Sequence, residues 1–487
     1  MRFCMCLSAM AVGCLVGSLG ATPRVRGTFD GKPLAFEQCR VSAVPFNRIW
    51  DGHQRPVEQT KLAWFVNFDV ERPGTLSLDI GEGAWRIRPL SRAGSVKRAG
   101  GRLEIVVSGP EQFVVEAGGT EIHVFANPPF RHAPVANEIY FGPGVHKAGV
   151  IEPKSGETVC LDAGAVVYGS ILVHHAKDVR IVGRGVLDSS RIARADHDSE
   201  QYRRAVAAGI APGQYGAEMA VNAFTCYAST NVTLEGITFR DSPRWTVIVR
   251  NASKKVNVDN VKLVGMWRYN SDGVDFCASE DCTIRNSFIR TFDDCIVARA
   301  PYLSDETTDC RNVLAENCVL WCDWGKNLEV WSGHVPGTIE NVVYRNCRLV
   351  NISWMACDVT TRYASPRTRI RNVTVEDLEV DVPVPPLAEC IQSRPDMKYP
   401  GGVQEKPILL RVDCGPVGRN TGNQGIEEGV GAATASVRYE NFAFRRFRVN
   451  GEGCKSFVRT VVTETPPHYK ATNVTVEDIP GEEVDDE

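Results

Sequence analysis

The sequence predicts an all-β fold, a right-handed parallel β-helix over residues 136–480 preceded by a small β-sandwich over residues 25–135. Three observations predict this class. One phrase of alternating apolar and polar residues recurs through the second half of the chain, and no helical period lies between its copies. The residues before it form short strands separated by Gly, Pro and Asp turns. At 487 residues the chain is also long enough for two domains, because a single core stops growing at roughly 250–300 residues.

The first 24 residues have the order of a secretory signal. A charged residue, Arg2, precedes a short apolar run that ends in small residues at Gly20 and Ala21. We therefore expect a signal peptide over residues 1–21, and the apolar run is too short to span a bilayer. Cys14 lies in a segment that weakly resembles a lipoprotein cleavage site, which leaves lipidation as an alternative. The expected location is outside the cytoplasm, secreted or periplasmic, with no integral membrane segment.

Residues 25–135 alternate apolar and polar positions over short segments such as GTLSLDIG, RLEIVVSG and EIHVFANPP. Antiparallel strands of this kind, joined by Gly and Pro turns, favour two packed sheets. The Pro pair that follows Asn127 predicts a linker to the second domain.

The repeated phrase of the second domain has an equivalent apolar position in each copy. These positions are Val232, Val256, Cys282, Val313, Val342 and Val373. The intervals between them are 24, 26, 31, 29 and 31 residues. Repeats of this length that contain strands and no helices favour a parallel β-helix over a leucine-rich repeat or a propeller. Two polar insertions, 189–218 and 380–428, interrupt the pattern and are predicted to border a binding groove.

Three aspartates stand out within the repeats. Asp272 precedes the adjacent pair Asp293 and Asp294 by about one coil of the predicted β-helix. Stacked coils lie about 4.8 Å apart, so the three carboxylates would form one cluster. Crowded carboxylates cannot all ionise freely, and one proton held among them supplies both an acid and a base.

Asn270-Ser271-Asp272 followed by Asp293-Asp294 resembles the NTD and DD motifs of glycoside hydrolase family 28, the polygalacturonases and their relatives. This resemblance implies hydrolysis of a glycosidic bond with inversion. It makes Asp293 the general acid, while Asp272 and Asp294 hold and activate the water. The segment over residues 25–135 also resembles the amino-terminal sandwich of bacterial pectinase-like and dextranase-like hydrolases.

Two positions depart from the family pattern. Lys326 stands where the family has the histidine of a Gly-His-Gly motif, with His334 as another possible substitute. Asp358 and Thr360 stand where an Arg-Ile-Lys motif would grip a uronate carboxylate, and Arg362 follows them. Without those two cations a galacturonan subsite loses its counter-ions, so we expect a relative that lacks the standard uronate recognition.

Several aromatic and polar side chains near the aspartates are candidates for contact with a sugar, because a ring face can lie on the apolar face of a pyranose. The predicted substrate-binding residues are Asn270, Lys326, Trp267, Tyr269, Trp324 and Arg299. Arg244 and Arg268 lie nearby and could reach hydroxyls or an acidic group, with surface ion pairs as the alternative. Trp245, Trp321, Trp331 and Trp354 are expected to be structural.

Composition excludes several other classes of function. A net charge of −4 gives no reason to expect a nucleic-acid partner. The 17 cysteines have no paired C-x-x-C spacing, so we expect neither a metal nor a cofactor, and most cysteines should be buried fillers. We expect a monomer that acts on a polysaccharide or oligosaccharide. The alternatives are a dextranase-type α-glucan hydrolase, a polysaccharide lyase that uses Lys326, and a non-catalytic glycan-binding β-helix.

Overall fold

The computed structural model is built almost entirely from β-strands. It describes residues 25–43, 57–192, 222–301, 309–332, 336–361, 363–364, 367–381, 408–413, 425–426, 437–451, 458–461, 464–465 and 469–483. The predicted signal peptide, His334, Arg362 and most of the two predicted insertions lie outside the described residues. Within them the helices are two short 3-10 turns, Val57–Gln59 and Leu90–Ser95, and none could cross a membrane.

The first domain is a sandwich of two five-stranded sheets. Its strands are β1 (Arg26–Phe29), β2 (Lys32–Pro33), β3 (Phe36–Ser42), β4 (Thr60–Asp69), β5 (Gly74–Asp79), β6 (Trp85–Arg88), β7 (Val96–Ala99), β8 (Arg102–Val107), β9 (Glu111–Ala117) and β10 (Thr120–Asn127). The sheet orders are β2-β1-β5-β8-β7 and β3-β4-β10-β9-β6. Alternate residues such as Leu76, Leu78, Leu103 and Ile105 are fully buried, which is the pattern that the sequence predicts.

The second domain is a parallel β-helix with three faces. Face 1 contains β11 (Glu138–Phe141), β13 (Thr158–Leu161), β15 (Lys177–Gly183), β18 (Thr230–Glu235), β21 (Lys254–Asp259), β24 (Glu280–Arg285), β27 (Cys310–Glu316), β30 (Thr338–Arg345), β34 (Arg369–Glu376), β38 (Val437–Arg445) and β42 (Tyr469–Glu477). Face 2 contains β16 (Val186–Asp188), β19 (Thr238–Arg240), β22 (Lys262–Val264), β25 (Phe288–Thr291), β28 (Val319–Cys322), β31 (Arg348–Asn351), β35 (Glu379–Asp381) and β39 (Arg448–Asn450).

Face 3 contains β17 (Phe224–Tyr227), β20 (Val247–Arg250), β23 (Val274–Cys277), β26 (Ile296–Arg299), β29 (Lys326–Ser332), β32 (Met355–Thr361), β36 (Ile408–Asp413), β40 (Val458–Val461) and β43 (Glu482–Glu483). The long strands β12 (Gly144–Ile151) and β14 (Ala165–His174) start the domain, and β14 pairs with both β16 and β17. Short pairings involve β33 (Tyr363–Ala364), β37 (Gly425–Ile426) and β41 (Glu464–Thr465). Strand β36 shows that the repeat continues inside the segment 380–428, which the sequence suggested was an insertion throughout.

The register agrees with the equivalent positions found in the sequence. Val232 pairs with Val256, Cys282 with Val313, and Val313 with Val342. Alternate residues of each coil enter one continuous apolar core, and Cys318 and Cys347 belong to it as predicted. All eleven described cysteines are buried and unpaired.

An asparagine ladder links successive coils near the start of the face 1 strands β27, β30 and β34. Asn312, Asn341 and Asn372 all have positive φ, a conformation that asparagine tolerates better than most residues. The Nδ2 of each amide donates to the Oδ1 of the amide one coil earlier, at 2.8 Å from Asn341 to Asn312 and 2.9 Å from Asn372 to Asn341. Each coil is thereby hydrogen-bonded through its side chains to the coil before it.

The sandwich packs against face 2. Arg88 is 1% exposed and donates from Nη1 to the carbonyl of Val350 at 2.9 Å. Arg290 pairs with Glu121 of the sandwich, and its guanidinium lies 4.2 Å from the ring centre of Trp321. Face 2 is therefore covered, and Trp321 is structural as the sequence suggested.

Candidate active site

The three aspartates lie at one corner of the β-helix, between face 2 and face 3. Asp272 lies in the turn between β22 and β23, and Asp293 and Asp294 lie in the turn between β25 and β26. Backbone hydrogen bonds stack these turns: the Gly273 amide donates to the Asp294 carbonyl at 2.8 Å, and the Cys295 amide donates to the Lys326 carbonyl at 2.8 Å. Asp272 therefore lies in the coil next to the one that carries Asp293 and Asp294.

Alternation places a row of charged side chains on the outer surface of face 3. Core residues Val274 and Phe276 flank Asp275, and Leu328 and Val330 flank Glu329 in the same way. Because successive side chains of a strand point to opposite sides, these two acids face outward. Arg299, Asp358 and Arg411 lie on the same outer surface of the neighbouring strands, by the same alternation. The three aspartates thus border a charged outer face.

The three carboxylates are largely withdrawn from solvent. Asp272, Asp293 and Asp294 are 1%, 8% and 6% exposed. Burial raises the pKa of Asp293 to about 6, while Lys326 opposes that shift. Burial, followed by repulsion from neighbouring carboxylates, raises the pKa of both Asp272 and Asp294 well above the usual range. The cluster therefore holds at least one proton near neutral pH.

Arg299 connects these carboxylates to each other. Its Nη2 lies 3.0 Å from Asp272 Oδ2 and 3.7 Å from Asp294 Oδ2, and its Nε donates to Asp275 Oδ1 at 2.8 Å. The guanidinium lies between two tryptophan rings, 4.7 Å from the centre of Trp245 and 4.8 Å from that of Trp331. Two side chains expected to be structural therefore hold a buried cation in a fixed plane.

Lys326 and Glu329 provide a second ion pair beside Asp294. The Lys326 amide donates to Asp294 Oδ1 at 2.8 Å, and Lys326 Nζ lies 3.6 Å from Asp294 Oδ2 and bonds to Glu329. Burial disfavours the ionised form of Glu329, but Lys326 and Arg299 outweigh it and bring the pKa of Glu329 to about 2. Glu329 is thus a permanent counter-ion rather than a source of protons.

The contacts distinguish Asp293 from the other two acids. In the described part of the chain, Arg299 and Lys326 lie within 4 Å of Asp272 or Asp294, and neither lies within 4 Å of Asp293. Asp293 Oδ2 instead accepts a hydrogen bond of 3.4 Å from Asn270 Nδ2. Nearby cations favour the ionised form, so these contacts favour Asp293 as the protonated carboxyl, whereas burial and mutual repulsion act against the ionisation of Asp272 and Asp294. Asp272 Oδ1 is buried with no hydrogen-bond partner among the described residues, and it can accept one from a water.

The predicted aromatic residues form part of the same corner. Trp324 stacks on Phe292 with ring centres 5.4 Å apart, and Tyr269 meets Trp324 edge-on at 5.8 Å. Trp324 and Trp267 are 7% and 6% exposed, so little of either ring is open to solvent. Arg268 pairs with Asp241 at 3.1 Å and donates to two backbone carbonyls, which is a structural role.

Sequence reasoning missed Asp275, Glu329 and Arg411. Asp275 and Glu329 are single charges in the middle of buried strands, as VDFC and NLEVW, and that interruption was the available signal. Arg411 donates to both oxygens of Asp358, at 2.8 and 2.7 Å. A buried salt bridge therefore occupies the place where the family resemblance implies a uronate-binding pair.

Comparisons with known proteins agree with the motif resemblance. Residues 211–304, which include all three aspartates, match the family model of glycosyl hydrolases family 28. A dextranase of Arthrobacter sp. is 24% identical over 50% of this chain and 40% of its own length. An exopolygalacturonase of Cochliobolus carbonum is 28% identical over 36% of each chain. The chain thus spans about two fifths of the length of these curated relatives.

The fold also matches a solved structure. Dex49A from Penicillium minioluteum superimposes with a TM-score of 0.53 and 13% identity, covering 92% of this chain and 93% of the other. At this identity the likeness concerns the fold alone. It agrees with the predicted parallel β-helix preceded by a sandwich.

Proposed function

We propose that this protein is a secreted glycoside hydrolase that cleaves an O-glycosidic bond of a polysaccharide or oligosaccharide with inversion. The observation that carries the proposal is the cluster of Asp272, Asp293 and Asp294 at one stacked corner, with both nearby cations directed at Asp272 and Asp294. A binding protein has no use for three crowded acids, because their burial and repulsion cost stability.

The proposed reaction assigns one role to each carboxyl group. Asp293 donates its proton to the glycosidic oxygen as the bond to the anomeric carbon breaks. A water held by Asp272 and Asp294 attacks that carbon from the opposite face, and one of these carboxylates takes the proton that the water loses. Arg299 and the Lys326 ammonium stabilise the ionised state of the two basic carboxylates.

The family-model match supports a glycosidase, and it includes the residues assigned to the chemistry. Relatives named as an exopolygalacturonase and as dextranases support a glycan substrate without choosing between these two classes. The Asp358–Arg411 pair favours a substrate-binding mode different from standard uronate recognition, since those charges already neutralise each other.

The experiment is a screen of the purified protein for release of reducing ends. The panel contains polygalacturonate, xylogalacturonan, dextran and other α-glucans. We expect turnover of at least one glycan by the wild type and none by Asp293→Asn, with unchanged circular dichroism. Dextran as the preferred substrate would favour the dextranase-type alternative. Glycan binding without cleavage by the wild type would favour the non-catalytic alternative and contradict the proposal, as would unsaturated products, which indicate a lyase.

A further inference from the structure

Arg244 differs from the other cations near the corner. It lies between β19 and β20, in the turn that precedes Asp272 by one coil, and it is 9% exposed. Its Nε atom is buried, and no described residue forms a hydrogen bond or an ion pair with its guanidinium. The Thr246 hydroxyl, two residues further on, is also buried and without a partner among the described residues.

These two groups are close to the candidate active site. The Thr246 amide donates to the Asp272 carbonyl at 2.9 Å, so the turn that carries Arg244 stacks directly on the turn that carries Asp272. Trp245, between them in sequence, contacts Arg299, which itself pairs with Asp272. Neighbouring coils lie about 4.8 Å apart, a distance that an arginine side chain easily spans.

Five other cations around the corner each have a carboxylate partner. The pairs are Arg240 with Asp188, Arg268 with Asp241, Arg299 with Asp272 and Asp275, Lys326 with Glu329, and Arg411 with Asp358. A guanidinium stays charged at all relevant pH values, and a buried charge without a partner is costly. An arginine that has no partner among the described residues is therefore best explained by an anion that arrives with the ligand.

We propose that Arg244 binds an anionic group of the glycan, a carboxylate or a sulfate ester, in a subsite on the amino-terminal side of the three aspartates. This inference rests on the proposed function for the glycan and names the class of substrate. The planar guanidinium offers paired donors that match the two oxygens of a carboxylate or a sulfate.

The location of this subsite explains how an acidic glycan can bind without the family's usual cations. On the carboxy-terminal side of the aspartates, the Asp358–Arg411 pair leaves no free positive charge in that position. Arg244 lies on the opposite side, one coil before Asp272. The anionic sugar unit would consequently occupy the other half of the groove from the one that the family motif implies.

The test measures binding in the inactive Asp293→Asn protein by calorimetry. The probes are trigalacturonate, its carboxyl-reduced neutral trisaccharide, and a sulfated form of that neutral trisaccharide. Each is titrated into Asp293→Asn and into the same protein with Arg244→Gln. Arg311→Gln is the matched control, because Arg311 is a half-exposed, paired arginine on face 1. Circular dichroism and melting temperature verify that every variant is folded.

We expect one of the two anionic probes to bind at least 10-fold more tightly than the neutral one, and this identifies the anion as carboxylate or sulfate. Arg244→Gln should remove that preference and leave the neutral Kd unchanged, while Arg311→Gln should change neither. Equal binding of all probes, no binding of either anionic probe at millimolar concentration, or an Arg244→Gln protein that keeps the preference would overturn the inference.

The two proposals fail in distinguishable ways. Charge-dependent binding through Arg244 without hydrolysis by the wild type would refute the hydrolase and support the anionic subsite. Cleavage of an anionic glycan with equal kcat/KM by the wild type and Arg244→Gln would support the hydrolase and overturn the subsite.

Discussion

Arg299 provides the sharpest test of how the corner is organised. The sequence suggested a substrate-binding arginine, but its guanidinium already bonds to Asp275 at 2.8 Å and to Asp272 at 3.0 Å. Arg299→Lys keeps the charge and can keep only one of these two bonds with good geometry. A hydrogen bond to a charged group contributes about 1.5–3 kcal/mol, so losing the one to Asp272 should lower kcat by about 10- to 150-fold.

The assay measures kcat and KM on the glycan found in the screen, together with the melting temperature. Because Arg299 is only 5% exposed and bonds to Asp272, a carboxylate of the proposed mechanism, we expect the loss to appear in kcat with little change in KM. Guanidinium chloride at millimolar concentration should partly restore the rate of Arg299→Ala, since the space between Trp245 and Trp331 fits a planar cation.

Arg411→Lys is the matched control. This substitution weakens the buried ion pair between Arg411 and Asp358, which also lies on face 3, and it leaves the three aspartates unchanged. It should lower stability similarly and leave kcat within a few-fold of the wild type. A wild-type kcat in Arg299→Lys, or a loss confined to KM, would refute the positioning role and restore the substrate-binding interpretation.

Three further predictions follow from the geometry. The stability gain of Asp293→Asn over the wild type should be larger at pH 7 than at pH 4 by up to about 3 kcal/mol, because a folded pKa of about 6, against 3.8 in the unfolded chain, makes the wild type lose stability as pH rises between those values. Urea unfolding at both pH values measures this, and an equal pH dependence in both proteins would contradict it. Gly325→Ala should lower both kcat and the melting temperature, since its Cβ would lie 2.6 Å from Asp293 Oδ1 and 2.7 Å from backbone atoms of Asp293 and Asp294, whereas Gly94→Ala, with open space around it, should keep wild-type kcat and stability. Arg88→Met should destabilise the protein by about 3–5 kcal/mol by leaving Asp381 without its cation, while substitution of the half-exposed Arg86 by Met should change stability little; similar denaturation midpoints for the two variants would refute this.

The fold was predictable because the sequence repeats its own pattern. The coils share the same alternation of apolar and polar residues, so the register of Val313 on Cys282 follows from counting. The clustering of Asp272 with Asp293 and Asp294 followed from the same count. The repeat alone was sufficient to predict both features, because each coil buries its apolar residues by stacking on its neighbours.

The electrostatic partners of the site were not predictable from spacing. Arg299 contacts Asp272, Asp275 and Asp294 from the next strand, and its partners depend on which residues of face 3 point outward. Arg411 is 53 residues from Asp358, beyond an insertion of variable length that hides the register. Whether Arg244 has a partner among the described residues likewise depends on its surroundings, and nothing in the local sequence distinguishes it from the paired Arg240.

The most direct test of the three-aspartate mechanism is proton NMR of the first product formed from a glycan of known anomeric configuration. The mechanism predicts that the wild type releases the sugar with the opposite anomer before mutarotation, and that Asp293→Asn releases none. Product with the retained anomer, or a wild-type rate from Asp293→Asn, would contradict it.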